Sequence, residues 1–110
     1  MARYWTAQYE WYAHRRLAME AGLDPKIADA IAERKRPAGM KEDEAAVYDF
    51  CSELHEKKTV SDAAYAAALK LFGEQGVIDL IGASGYYTMV SMILNVDRLP
   101  LPDGATPLKP

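Results

Sequence analysis

The sequence predicts an all-α domain, because helix-capping signals recur along the chain and no stretch shows the period of a strand. Cap residues and helix-terminating glycines divide the chain into five segments with helical apolar spacing. The chain has 110 residues, 50% of them hydrophobic, so one domain with a modest core is expected. We place this domain at residues 1–98 and an extended, proline-rich tail at residues 99–110.

The first helix is expected over residues 2–21, with Gly22 as its C-terminal cap. Small and apolar residues form an arc along one side of this helix. Glu10 and His14 lie in the middle of that arc, four positions apart and therefore on one face. The opposite side also carries aromatic residues, which indicates that the helix is covered on both sides. In a chain this small, we expect the second cover to be another subunit.

The second and third helices are predicted from their ends. Asp24 is typical of an N-cap and Pro25 of a first helical residue, and this helix is expected to end at residues 37–39. A third helix is expected from about residue 41 to residue 56. Acidic residues fill its first turn and lysines follow its end, which is the polarity that the helix dipole favours.

Two further helices and a tail complete the prediction. Ser61 caps a fourth helix that Gly73 ends, and a fifth runs from about residue 76 to residue 95. Residues 77–96 approach membrane-spanning length, but they include an aspartate, two glycines and several polar residues. We interpret them as a buried core or interface helix and expect no membrane partner. The tail is too rich in proline for a helix, and is expected to be disordered or to lie across a neighbouring subunit.

Charge and cysteine content exclude several classes of protein. The formal net charge is −3 and no basic stripe is present, which argues against a nucleic-acid partner. The basic run at residues 34–36 is interpreted as a solvated helix end. The single cysteine, Cys51, permits no intrachain disulfide and fits a reducing cytoplasm. The first residues lack the features of a signal peptide.

Several blocks of residues resemble the carboxymuconolactone decarboxylase family, which shares the alkylhydroperoxidase D-like fold. The blocks are Tyr9-Glu10-Trp11-x-x-His14 with Ala18 and Ala21-Gly22-Leu23, then Val60-Ser61-Asp62, Phe72-Gly73-Glu74 and Gly85-Tyr86-Tyr87-Thr88-Met89. Together they extend over roughly residues 3–104. The resemblance implies an all-helical bundle of about five helices that assembles into a homo-oligomer, a trimer or a hexamer.

The chain departs from this family in two respects. The peroxidase branch has a Cys-x-x-Cys-x-x-x-His helix, and aligning its histidine with His14 puts Ala7 and Glu10 at the two cysteines. Without those thiols a dithiol cycle cannot run, so the chain resembles the branch in which Glu-Trp-x-x-His replaces them. Family members also usually carry a further helical segment ahead of this helix. We therefore expect a fragment, a contribution from another subunit, or an incomplete site.

Glu10 and His14 are the candidate catalytic residues. A carboxyl and an imidazole that meet on an apolar face suit general acid–base catalysis. The alternative is a structural pair that locks two helices or two subunits. Trp11, Tyr86 and Tyr87 are candidate substrate-binding residues, with ordinary helix packing as the alternative for each.

The expected function follows from these candidates. Cys51 and His55 repeat half of the peroxidase motif, but we interpret them as a buried thiol beside an exposed imidazole. No set of ligand-type residues has metal-site spacing, so neither a metal nor another cofactor is expected. We expect decarboxylase- or lyase-type chemistry on a small acidic or lactone metabolite. The alternatives are a non-catalytic oligomerisation module and, third, a peroxidase relative without the dithiol centre, using the single thiol of Cys51.

Overall fold

The computed structural model describes residues 1–110 and confirms the all-α class, with 66% of residues in helices and no strands. It contains four helices. These are α1 (Gln8–Glu20), α2 (Pro25–Ala32), α3 (Glu42–Lys57) and α4 (Asp62–Asp97).

Helix α1 begins later than its apolar pattern predicts. Thr6 has a positive φ of 48°, which a helix does not allow, so residues before Gln8 form turns instead. The predicted C-terminal cap is confirmed. The backbone N–H of Gly22 donates to Met19 and that of Leu23 to Ala18, and these two bonds satisfy carbonyls that the end of the helix leaves free.

Residues adjacent in sequence cap both ends of α2. The Asp24 carboxylate accepts a hydrogen bond from the backbone N–H of Lys26 at 2.9 Å, and Pro25 opens the helix. The helix ends several residues before the predicted stop at residues 37–39. Arg34 adopts a φ of 61°, and the N–H groups of Arg34 and Lys35 turn back onto its last carbonyls.

The predicted fourth and fifth helices form one element in the structure, so a separate fifth helix is not confirmed. Helix α4 nevertheless contains a break at Gly73, whose φ of 69° and ψ of −178° are not helical. This conformation is essentially restricted to glycine. Past the break the backbone approaches a side chain so closely that a Cβ at Gly76 would collide with the Cβ of Phe72. The sequence signal at Gly73 therefore marks a kink within a helix.

The chain groups into two compact units. The first unit contains residues 1–39 and 87–110, and the second contains residues 40–86. The core of the second unit is formed by Phe50, Ala68 and Val77, with partly buried apolar residues around them. The predicted domain of residues 1–98 is not tested by this grouping and stays a prediction.

The tail is extended, as predicted, but it lies on its own chain within the first unit. The side-chain amide of Gln8 donates to the Leu108 carbonyl at 3.0 Å and accepts from the Leu108 N–H at 2.7 Å. The Arg3 guanidinium donates to the Lys109 carbonyl at 2.8 Å. The Leu108 side chain is only 7% exposed. These contacts replace the neighbouring subunit or the disorder that the sequence led us to expect.

One helix, α4, is long and apolar enough to cross a membrane if length and composition alone are considered. Only 17% of its most apolar window is buried within the structure. One such helix is weak evidence for a membrane span. Its low burial does not fit the buried core helix that the sequence predicts, and leaves an interface helix as the remaining expectation.

Candidate functional site

The two candidate catalytic residues lie on α1 and face the C-terminal part of α4 within the first unit. Contacts between the two segments run in antiparallel order. Asn95 donates to the Trp5 carbonyl at 2.8 Å, the Ser91 hydroxyl donates to Glu10, and the ring of Tyr87 packs against His14. We call Glu10, His14, Tyr87 and Ser91 the α1–α4 cluster.

Glu10 is a buried carboxyl group with a single polar partner. Its residue is 3% exposed, and Ser91, which is fully buried, donates its hydroxyl to Oε2 of Glu10. No cationic side chain forms an ion pair with Glu10. A buried polar group without a hydrogen-bond partner is costly, so the carboxyl group of Glu10 depends on this one hydroxyl. The burial of Glu10 was expected, whereas its hydroxyl partner was missed by sequence reasoning.

His14 differs from Glu10 in being exposed. Its ring meets the ring of Tyr87 edge to face, with centroids 4.7 Å apart and planes at 80°. No hydrogen bond joins His14 to Glu10, although the two share a helix face. The predicted acid–base pair is therefore not a bonded pair. Each member has its own partner on α4, at positions 87 and 91.

The apolar arc around this pair is buried only in part. Ala7 is fully buried, whereas Leu17 is 50% exposed and Tyr4 is 42% exposed. Within the cluster, the carboxyl group of Glu10 is buried, whereas the imidazole of His14 is exposed to solvent. An arrangement of this kind can exchange protons with solvent or a ligand at the imidazole, but not directly at the buried carboxyl.

The other predicted binding residues do not join the cluster. Trp11 lines a groove of the first unit that neither Glu10 nor His14 lines. Tyr86 belongs to the second unit and is 56% exposed. Of the three predicted substrate-binding residues, only Tyr87 contacts a candidate catalytic residue.

Cys51 and His55 have structural contacts in the second unit. Sγ of Cys51 lies 3.2 Å from the hydroxyl of Ser84, and Nδ1 of His55 lies 2.8 Å from the Cys51 carbonyl oxygen. The four-residue spacing of this pair thus serves a side chain-to-backbone contact along α3. No three His, Cys, Asp or Glu side chains come together as a metal site requires.

Ser91 carries the signal that sequence reasoning missed. A serine within a long apolar helix needs a hydrogen-bond partner if it is buried, and it lies four positions from Tyr87. The pattern of α4 could therefore have marked Ser91 as a polar contact point, but not which residue it meets. Comparison of the chain with protein-family models, curated proteins and solved structures gives no match.

Proposed function

We propose that this chain is a carboxymuconolactone decarboxylase-like protein that performs acid–base chemistry on a small acidic or lactone metabolite. The observation that carries the proposal is the α1–α4 cluster, in which the exposed imidazole of His14 lies against Tyr87. On the same helix face, the carboxyl group of Glu10 is 3% exposed and held by one hydroxyl, with no cation paired to it. Buried ionisable groups without a neutralising partner are uncommon outside functional sites. The resemblance of the Glu-Trp-x-x-His helix supports the same assignment, and with it the alkylhydroperoxidase D-like fold.

Within this proposal the exposure of each residue decides its role. His14 is the group that meets the substrate, because its ring is exposed. In a decarboxylation, the bond between the carboxylate and its carbon breaks and CO₂ leaves. The electron pair remains on that carbon, and protonated His14 supplies the proton that bonds to it. Tyr87 lies against His14 and orients its ring, whereas Glu10 positions α1 through Ser91.

The proposal involves no redox cofactor, and a dithiol peroxidase is excluded as the mechanism because no thiol stands at positions 7 or 10. A cytoplasmic location is part of the same proposal and rests on the single reduced cysteine.

The test is a screen of γ-lactone carboxylic acids in D₂O, with NMR detection of a product that has lost CO₂ and gained one deuterium. His14→Gln should lower the rate on any substrate found by about 100-fold or more, the usual loss of a general acid. His55→Gln, which changes the chain's other histidine in the second unit, should leave the rate unchanged. Equal rates in the two variants would assign the chemistry elsewhere.

A second candidate function, self-assembly without catalysis, is favoured by a separate observation. Four apolar side chains on α4 lie at spacings of three and four residues and are exposed, namely Met89 at 48%, Met92 at 41%, Ile93 at 56% and Val96 at 85%. They form an uncharged stripe on the first unit. We propose a second copy of this chain as its occupant, since an uncharged helical stripe packs readily against an identical stripe across a two-fold axis. Larger closed assemblies, a trimer or a hexamer, are what the family resemblance implies.

Sedimentation velocity of the full chain tests this second candidate. Ile93→Glu should shift the chain to monomer, because it places a charge within the stripe. Val47→Glu changes an apolar residue of the second unit that is 36% exposed, and should leave the assembly intact. A parent chain that is monomeric at all concentrations contradicts the proposal, as does one that associates only with lipid vesicles.

A further inference from the structure

A groove of about 940 Å³ lies in the first unit. No residue of the α1–α4 cluster lines it, and neither proposed function uses it. The outer side of α1, the end of α2 and residues 105–110 line it. Its volume lies within the range of small-molecule sites, which is about 300–1,000 Å³.

Positive charge is concentrated in this groove, although the chain as a whole carries a net charge of −3. Six cationic side chains line it, against two acidic side chains. The cations are Arg3, Arg15, Arg16, Arg34, Lys35 and Lys109, and the acidic side chains are Asp29 and Glu33. Three of the cations have ion-pair partners, Arg15 with Asp29, Lys35 with Glu33, and Arg16 with Glu20 outside the groove. Arg3, Arg34 and Lys109 have none and leave the groove positive.

Two of these unpaired cations converge on one oxygen atom. Oγ1 of Thr6 accepts a hydrogen bond from Arg3 at 3.0 Å and another from Arg34 at 3.2 Å. Burial of Arg3, together with the charge of Arg34, lowers the pKa of the Arg3 guanidinium below its usual value. Two guanidinium groups held this close repel each other unless an anion lies between or beside them.

The backbone at this point is strained in two places. Thr6 and Arg34 have φ values of 48° and 61°, in the left-handed region that side chains with a Cβ rarely adopt. Strain of this kind persists where the surrounding structure requires it. Here the two strained residues are the ones that bring the guanidinium of Arg34 to Thr6.

The remaining wall of the groove is apolar and aromatic. Trp11, Tyr12 and Met19 are half-buried residues of α1 and all line the groove. A ligand that fits both parts has an apolar body, which packs on these side chains, and an acidic group, which faces the guanidinium groups.

We propose that this groove binds a small amphiphilic anion, a ring or short hydrocarbon that carries a carboxylate or phosphate group, with Arg34 as an anion-binding residue and Trp11 as the apolar contact. The groove contains neither Glu10 nor His14. Binding here therefore does not depend on the proposed chemistry and can be confirmed or refuted without it.

The test uses phenyl phosphate as the probe, with benzoate, inorganic phosphate and benzyl alcohol as comparisons. Binding is followed by tryptophan fluorescence in the Trp5→Phe chain, where Trp11 is the only indole left. Phenyl phosphate should quench that fluorescence with saturation. Benzyl alcohol, which has no charge, should not, and inorganic phosphate should bind more weakly than phenyl phosphate. If benzoate binds more tightly than phenyl phosphate, the groove prefers a carboxylate, and if benzoate binds more weakly, it prefers a phosphate. Equal affinities mean that the groove accepts either acidic group.

Arg34→Gly is the deciding variant, because glycine adopts the left-handed backbone without strain and the fold should not suffer. It should raise the dissociation constant of phenyl phosphate about tenfold, the loss expected for one charge-assisted hydrogen bond. Arg98→Gly is the matched control. It also removes an arginine at a positive φ, 53°, from the same unit, but outside the groove. Equal dissociation constants in the two variants, or no saturable quenching in the parent, would overturn the proposal.

Discussion

Replacing Ser91 by alanine removes the one hydrogen bond of Glu10 and leaves its carboxyl group buried without a partner. Ser91 is fully buried and Glu10 is 3% exposed, so little water can take the place of the lost hydroxyl. Leaving a buried polar group unsatisfied costs about 1–3 kcal/mol. We therefore expect Ser91→Ala to lower the free energy of unfolding by about 2 kcal/mol.

Urea unfolding followed by circular dichroism measures this effect. With a urea dependence of about 1–1.5 kcal/mol per molar, a loss of that size moves the midpoint down by roughly 1.5 M. Ser84→Ala is the matched control, since Ser84 is another buried serine of α4, 2% exposed. Its hydroxyl contacts the thiol of Cys51, a weak hydrogen-bonding group, so this variant should cost less.

A double variant separates the bond from general damage to the helix. Adding Glu10→Met to Ser91→Ala removes both polar groups, and replacing both partners by apolar groups is close to neutral when their shape is kept. The double variant should therefore be more stable than Ser91→Ala alone. If Ser91→Ala cost no more than Ser84→Ala, the reasoning about Glu10 would be refuted.

Three further predictions concern other parts of the chain. Gly73→Ala should destabilise the protein by about 1–3 kcal/mol, because Gly73 has a positive φ. Gly85→Ala, at a helical position with open space around it, should stabilise the protein by about 0.5–1 kcal/mol. Thermal unfolding compares the two variants, and a shift of Tm in the same direction for both would contradict the kink at Gly73. The backbone N–H and the hydroxyl of Ser61 donate to the Glu53 carboxylate and lower its pKa. The stability that Glu53 contributes is therefore present above its unfolded-state pKa, and is lost as pH falls through its lower folded-state pKa. Glu53→Gln should flatten the acid limb of a plot of Tm against pH, and an unchanged limb would argue against this coupling. Gln8→Ala removes both hydrogen bonds to Leu108 and should speed hydrogen exchange and proteolysis of the tail, leaving the second unit unaffected. Equal protection of the tail in the parent and the variant would show that the Gln8 side chain does not hold the tail in place.

Helix positions were predictable where the signal is local. Asp24 and Gly22 act through neighbours a few residues away, so their cap geometry can be read from sequence. The start of α1 was not predictable, because the left-handed backbone of Thr6 depends on groups that meet it from elsewhere in the first unit. The break at Gly73 was predicted, but whether a helix resumes after such a residue depends on packing around it.

In the candidate site, too, features set by sequence neighbours were predictable, and contacts between distant segments were not. The common face of Glu10 and His14 follows from helical geometry, and the structure agrees that both point toward one neighbouring segment. Which side chains they meet there, Ser91 and Tyr87, depends on the register of two segments far apart in sequence. Periodicity carries no information about that register. The positive groove was missed for the same reason, since Arg3 and Arg34 belong to different elements of the chain.

The first unit is discontinuous in sequence, since it takes segments from both ends of the chain and the second unit is inserted between them. During synthesis on a ribosome, the inserted unit can therefore condense as soon as its own residues have emerged. The other unit must wait until residue 108 has emerged, because Gln8 binds there, 100 positions away. Closing so long a loop is slow compared with local helix formation. We therefore expect stalled nascent chains that lack the last residues to be protected from protease in the inserted unit and to remain sensitive at their amino-terminal segment.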